Sequence, residues 1–388
     1  MVSMSEKNEQ LFDDIRPYFD SEVNGIMLQL LKEPSLLSAL QFVFPERNID
    51  AIQAQMAQIS SVKQFQTEII SLGVNSIARS TTKGLTIDGL ENFEKGKAYL
   101  VLSNHRDIVL DSAFLNFLLF SNDYETTRNA IGDNLLKQNW IEQLVKLNKN
   151  FVVRRGLSPK EMLQASNHLS AYVRHSIVND NESVWIAQRE GRTKDGNDKT
   201  THGLIKMFSR SAHSHQTAYD AYAELNIIPL SISYEWEPCG ILKAKENIIK
   251  RNNPPYIKKA GEDAQSMMHG IKQPKGRVHF TFGKPYNHFM QWINKDMSQG
   301  DLQHLIIQYL DKTIIENYKL FPSAYIAYDT LHASRKFIEM YNQEDLDQFE
   351  QYINQWKDEA DFEEIKAELL SIYAKPVENK ILLKTPVI

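Results

Sequence analysis

Residues Ala98 to Asp111, AYLVLSNHRDIVLD, hold an apolar run, a polar turn and a second apolar run. The first run ends at Ser103-Asn104 and the second carries apolar residues at helical spacing, so a strand hands over to a helix. His105 then stands at the carboxyl end of a strand, with Asp111 about one turn inside the helix. An imidazole held by a carboxylate makes a general base, because the acid fixes its tautomer and stabilises the imidazolium that forms. The plainer reading is that Asp107 caps the helix and His105 is a turn residue.

The same rhythm extends outward. Short apolar runs at Tyr99–Leu102, Phe151–Val153, Val184–Ala187, Ile227–Ser233 and Val278–Phe282 read as strands, and helical patterns separate most of them. One helix start is well marked, with Ser158 at the N-cap, Pro159 at the first position and Glu161 completing a capping box. Alternating strands and helices predict an α/β fold, a central and mostly parallel sheet covered by helices. Residues 1–80 read as a helical N-terminal region, 81–300 as the α/β domain, and 301–388 as a helical C-terminal extension whose acidic stretches suit solvated packing helices. In such sheets ligands bind beyond the carboxyl ends of the strands.

Two more polar clusters fall at strand ends. FVVRRG delivers Arg154 and Arg155, and WIAQREGRTKDG delivers Arg189, Glu190, Gly191, Arg192 and Lys194. Paired guanidinium groups beside a glycine suit a phosphate monoester. Glu190 could hold an arginine or accept from a hydroxyl. The competing reading is a set of surface salt bridges, worth little.

The ordered set resembles the glycerolipid acyltransferase superfamily. Its Asn-His-x4-Asp block is similar to Asn104-His105 with Asp111, although five residues separate His105 and Asp111 here, which leaves Asp107 or Asp111 as the orienting acid. FVVRRG resembles the second block, Glu190-Gly191-Arg192-Thr193 the third, and NIIPLSIS with Pro229 the fourth. Gln188-Arg189 stands where many members have Phe-Pro.

The resemblance implies direct acyl transfer from an acyl thioester, acyl-CoA or acyl carrier protein, to a hydroxyl of glycerol 3-phosphate or a lysophospholipid. His105 would be the base and Asp111 its orienter. Arg154 or Arg155, with Arg192 and Lys194, would hold the phosphate, and Glu190 and Gly191 would shape the acceptor site. The alternatives are an acyltransferase for an aminoacyl lysolipid and a catalytically silent lipid- or phosphate-binding scaffold. No Gly-x-Ser-x-Gly elbow is present, and the single cysteine, Cys239, lies far from the histidine cluster in sequence.

Composition narrows the partners. With 44 basic and 49 acidic residues in 388, net charge −5, no global field attracts nucleic acid. One cysteine excludes an internal disulfide and suits a reducing compartment. The N-terminus lacks a signal-peptide pattern, and the greasy segment from Ile108 to Phe120 is shorter than the roughly 20 residues that cross a bilayer. The expectation is a cytoplasmic protein, at most peripheral on the inner membrane surface. Lys243, Lys245, Lys250, Arg251, Lys258 and Lys259 are candidates for contact with anionic headgroups. His202, His213 and His215 lack the spacing of a metal site, so neither a metal nor a bound cofactor is expected.

Overall fold

Seven strands set the frame: β1 (Thr82–Asp88), β2 (Leu100–Ser103), β3 (Arg128–Gly132), β4 (Asn150–Val153), β5 (Val184–Ala187), β6 (Ile228–Tyr234) and β7 (Gly276–Phe282). They come from a computed structural model that describes residues 10–212, 216–259 and 261–384. The readings of residues 1–9 and of His213 and His215 lie outside the described residues. The strands form one sheet in the order β1-β7-β6-β2-β5-β3-β4. Neighbours run parallel, except β6 and β7, which pair antiparallel from Leu230 opposite Phe282 to Tyr234 opposite Val278. The expected α/β architecture is therefore present, with an antiparallel step inside it.

Two strands escaped the sequence pattern. β3 carries Arg128 and Asn129 where an apolar residue would announce a buried strand. Both are internally satisfied: Arg128 donates to Ser176 Oγ at 2.8 Å and Asp180 Oδ2 at 2.6 Å, and Asn129 Oδ1 accepts from Asn116 and Thr127. β1 is a half-exposed TKGLTID whose only neighbour is β7. The free edge of β4 is met by the N-terminal segment, where Val152 N–H donates to Ile15 O at 2.9 Å.

Period-two alternation along β2 divides the core. Leu100 and Leu102 face a cluster with Tyr172 and Val173 of the helix Pro159–Val178 and Ile306 and Leu310 of the helix Gln299–Asn317. Tyr99 and Val101 face the opposite cluster, with Phe114 and Leu118 of the helix Leu110–Ser121 and Val74 and Ala78 of the helix Ser71–Thr81. The helix Pro159–Val178 begins as expected, with Ser158 N–H and Oγ both donating to Glu161 Oε2.

The terminal regions add their own packing. The N-terminal helices enclose Met27, Leu40, Ile52 and Phe65. The C-terminal helices Pro322–Leu331, Gln343–Asn354 and Phe362–Lys384 pack on the helix Gly240–Asn252 around Trp236, Phe349, Leu369 and Tyr373. Their acidic faces are wet, but their other faces are core. Among the described residues no helix is long and apolar enough to cross a membrane.

Candidate active site

The turn after β2 is built by Asn104. Its buried amide donates to Ile232 O at 2.9 Å and accepts from Ile232 N–H at 2.8 Å, so a side chain continues the ladder to β6 after the backbone has left it. The main chain is thereby free to bend and present His105. Asp107 Oδ1 accepts from Val109 N–H at 2.9 Å and Leu110 N–H at 2.8 Å, capping the helix that follows.

His105 Nδ1 lies 2.8 Å from Asp111 Oδ2. The same oxygen accepts from Arg106 N–H at 2.6 Å and Asp107 N–H at 3.0 Å, while Oδ1 accepts from the Tyr234 hydroxyl at 2.8 Å. Asp111 is fully buried. Burial opposes its ionisation, but the bonds from His105 and the two amides outweigh burial and hold the carboxyl below its ordinary value. Asp107 is pushed the other way, by burial first and then by the Asp111 charge. Of the two carboxylates that the sequence leaves open, Asp111 faces the imidazole and Asp107 caps. Because Asp111 can only accept, the hydrogen is assigned to Nδ1, which leaves the Nε2 lone pair free. Nε2 has no hydrogen-bond partner among the described residues, and the ring stands edge-on to Trp185 at 5.7 Å between centroids.

The later strand ends reach the same edge of the sheet. Thr193 N–H donates to His105 O at 2.8 Å, which ties the loop after β5 to the histidine turn. Its neighbour Arg192 is buried, and its Nη1 has no partner. Arg155, after β4, lies over the end of β3: a Cβ at Gly132 would come within 2.4 Å of Arg155 Nε. It ends in an ion pair with the exposed Glu190, and Arg155 Nε is itself buried and unpartnered. Gly191 has φ +70° with open space where a side chain would be, so backbone is accessible there. Arg154 turns instead to Asp14, 3.8 Å away in the N-terminal segment. Lys194 is paired with Glu246, and burial brings its pKa down to about 8 despite that partner. The structure thus gathers His105, Asp111 and Arg192 around one turn, sets Arg155, Glu190 and Gly191 along the same edge, and holds Arg154 and Lys194 against other partners.

Sequence reading missed the support beneath the turn. Arg106, fully buried, reaches Asp198 Oδ2 and, at 3.3 Å, Glu237 Oε2, with Tyr318 beneath its guanidinium. Lys243 Nζ donates to Arg106 O at 2.7 Å and pairs with Glu237. Asp198 also accepts from Asn104 and from Thr193 Oγ1. Loops after β2, β5 and β6 are thereby bound into one buried network, and Tyr373 of the C-terminal helix joins it by accepting from Glu237 N–H at 2.7 Å. Only the adjacency of Arg106 to His105 hinted at this in the sequence.

The basic stretch read as a headgroup contact is mostly neutralised. Lys243 is buried, Lys245 pairs with Glu359, Lys250 with Glu246, Arg251 with Glu364 and Glu368, and Lys258 with Asp263. Lys259 alone of the six has no carboxylate partner among the described residues. Most of those acids lie on elements distant in sequence, so a linear charge run could not reveal them.

Residues 84–233, from β1 through most of β6, match the Acyltransferase family. That stretch holds Asn104-His105, FVVRRG, Glu190-Gly191-Arg192 and Pro229, the motifs that resemble the glycerolipid acyltransferases. Among solved structures it is similar to the 1-acyl-sn-glycerophosphate (LPA) acyltransferase PlsC from Thermotoga maritima, at 13% identity and TM-score 0.37, over 74% of this chain and 95% of that one. A likeness that low carries no argument for fold or for substrate. No curated protein matches the chain with significant similarity.

Proposed function

We propose that this chain transfers a fatty acyl group from an acyl thioester to a hydroxyl of glycerol 3-phosphate or a lysophospholipid. The observation that carries the reading is the 2.8 Å contact of His105 Nδ1 with buried Asp111, which leaves Nε2 unpartnered. Nε2 takes the proton of the acceptor hydroxyl as its oxygen attacks the thioester carbonyl carbon. The C–O bond forms, the tetrahedral intermediate collapses, the C–S bond breaks, and the imidazolium returns its proton to the departing thiolate. Asp111 stabilises the imidazolium between those events. No covalent acyl-enzyme is needed, and buried Cys239, whose thiol burial pushes up, is a poor nucleophile.

Arg192 is the best-placed group for the acceptor's anionic end, because its buried Nη1 lacks a partner. Arg155 contributes through Nε and is positioned by Glu190. With Arg154 and Lys194 already paired, the cationic contact is narrower than the sequence suggests, which keeps a lysolipid with a single anionic group in view as acceptor. The donor is acyl-CoA or acyl carrier protein, and no bound cofactor takes part. Contact with a membrane, where lipid acceptors reside, is made by exposed apolar side chains such as Ile257, Met268 and Phe42, which are exposed by 80%, 45% and 49%.

The test is transfer from a labelled thioester to a panel of glycerol 3-phosphate, lysophosphatidate, other lysophospholipids and aminoacyl lysolipids, read by product mass. Product with the phosphate-bearing acceptors supports the reading. Product with the aminoacyl acceptor alone selects the rival substrate. No product with any acceptor, together with tight lipid binding, leaves the scaffold.

A further inference from the structure

Asp111 has two oxygens, and the imidazole uses only one. The other is met by Tyr234, the last residue of β6, whose side chain crosses beneath the turn after β2 to donate at 2.8 Å. Both groups are buried, and the position of the phenol is set by the strand rather than by a loop. We propose that Tyr234 is a positioning residue for acyl transfer: its hydroxyl fixes the carboxylate plane of Asp111 and shares its charge, so that Asp111 presents Oδ2 to His105. The inference rests on the His105–Asp111 reading above.

A buried carboxylate needs its lone pairs occupied. Arg106 N–H, Asp107 N–H and His105 occupy Oδ2, whereas Oδ1 has Tyr234 alone. Without that donor the carboxylate can rotate about its Cβ–Cγ bond. More of its charge also falls on the oxygen facing the ring, which favours the imidazolium that cannot act as base. Asp107 on the same turn and Glu237 after β6 are the other charged groups acting on the Tyr234 phenol; Arg192 acts on Asp107, and Arg106 pairs with Glu237. Burial and the charges of Asp111 and Asp107 hold the phenol well above its ordinary value, so it remains a donor throughout the working range.

Purified full-length protein is assayed for acyl transfer across pH as wild type, Tyr234→Phe, Asp111→Asn, Tyr234→Phe/Asp111→Asn and His105→Ala. Tyr234→Phe is expected to lower kcat by about 10–150-fold, the scale of one lost hydrogen bond to a charge, with KM for both substrates little changed. The acid limb of its rate profile should move to higher pH, and its effect should vanish in the Asp111→Asn background. A Tyr234→Phe profile that keeps the wild-type limb and kcat, with only a lower Tm, overturns the proposal while leaving the catalytic reading intact. Undiminished transfer by His105→Ala overturns both. If Tyr234→Phe fails to fold, 3-fluorotyrosine installed at position 234 alone keeps the shape with a more acidic phenol. It should move the limb to lower pH, and an unmoved limb there also overturns the proposal.

Discussion

Gly270 and Asp107 meet with no space between them: a Cβ at Gly270 would lie 2.2 Å from Asp107 Oδ2. Gly270 belongs to the helix Glu262–Lys272, which thus seals the back of the histidine turn. Gly270→Ala must therefore push that helix or the capping carboxylate aside. Thermal or denaturant unfolding should show a loss of about 1–3 kcal/mol, the usual cost of overpacking. Acyl transfer should fall along with it, because Asp107 N–H also binds Asp111.

His105→Ala removes the proposed base and should lower kcat by about 10²–10⁴-fold with the fold retained. Circular dichroism and steady-state transfer assays check both halves of that statement. Asp111→Asn keeps the volume but replaces an ionised acceptor, so its rate should also fall, and His105→Ala/Asp111→Asn should be little worse than His105→Ala.

Asp107 gives a pH signature. Its folded carboxyl titrates above its ordinary value, so stability is fullest below the unfolded value and is lost as pH rises through the folded one. Asp107→Asn keeps an oxygen for the Val109 and Leu110 amides and removes the buried charge. Its Tm should exceed wild type at pH 7, and the difference should close as the buffer is brought below the ordinary carboxylate range. An equal or lower Tm at pH 7 would contradict this account.

Arg106→Met fills similar volume but strips the counter-charge from Asp198 and leaves Glu237 with Lys243 alone. Breaking a buried pair on one side costs about 3–5 kcal/mol, so the unfolding midpoint should drop steeply. Arg106→Lys should recover only part of it, since an ammonium cannot span both acids as a guanidinium does.

Sedimentation with anionic vesicles tests the apolar contact through Ile257. Because five of the six cations near residue 250 are already paired or buried, binding should persist when salt is raised from 0.1 to 1 M, where the Debye length shrinks to about 3 Å. Ile257→Asp should release the protein. Release by salt alone would restore the electrostatic reading.

The sequence disclosed whatever repeats at short range. β2, β5 and β6 were visible because their runs are apolar and bounded by turns, and the helix after Ser158 because capping is a local pattern. β3 was hidden since its Arg128 and Asn129 are satisfied by Asp180, Ser176 and Asn116, which a window of ten residues does not include. The same distance limit governs the site. His105 stood out beside Asn104, and Arg192 beside Gly191. The pairing of Lys194 with Glu246 and of Arg154 with Asp14, and the donation from Tyr234 to Asp111, cross gaps in sequence that only the sheet closes.

That closure bears on where this chain can be cut. The family-matched stretch stops at residue 233, yet β1 touches the sheet solely through β7, which begins at Gly276. A fragment trimmed to the homologous span would strand its first segment, bare the flank of β6 and drop Tyr234. The folded unit is thus larger than the family-matched stretch, and expression designs should run past Phe282 into the helix that begins at Gln299.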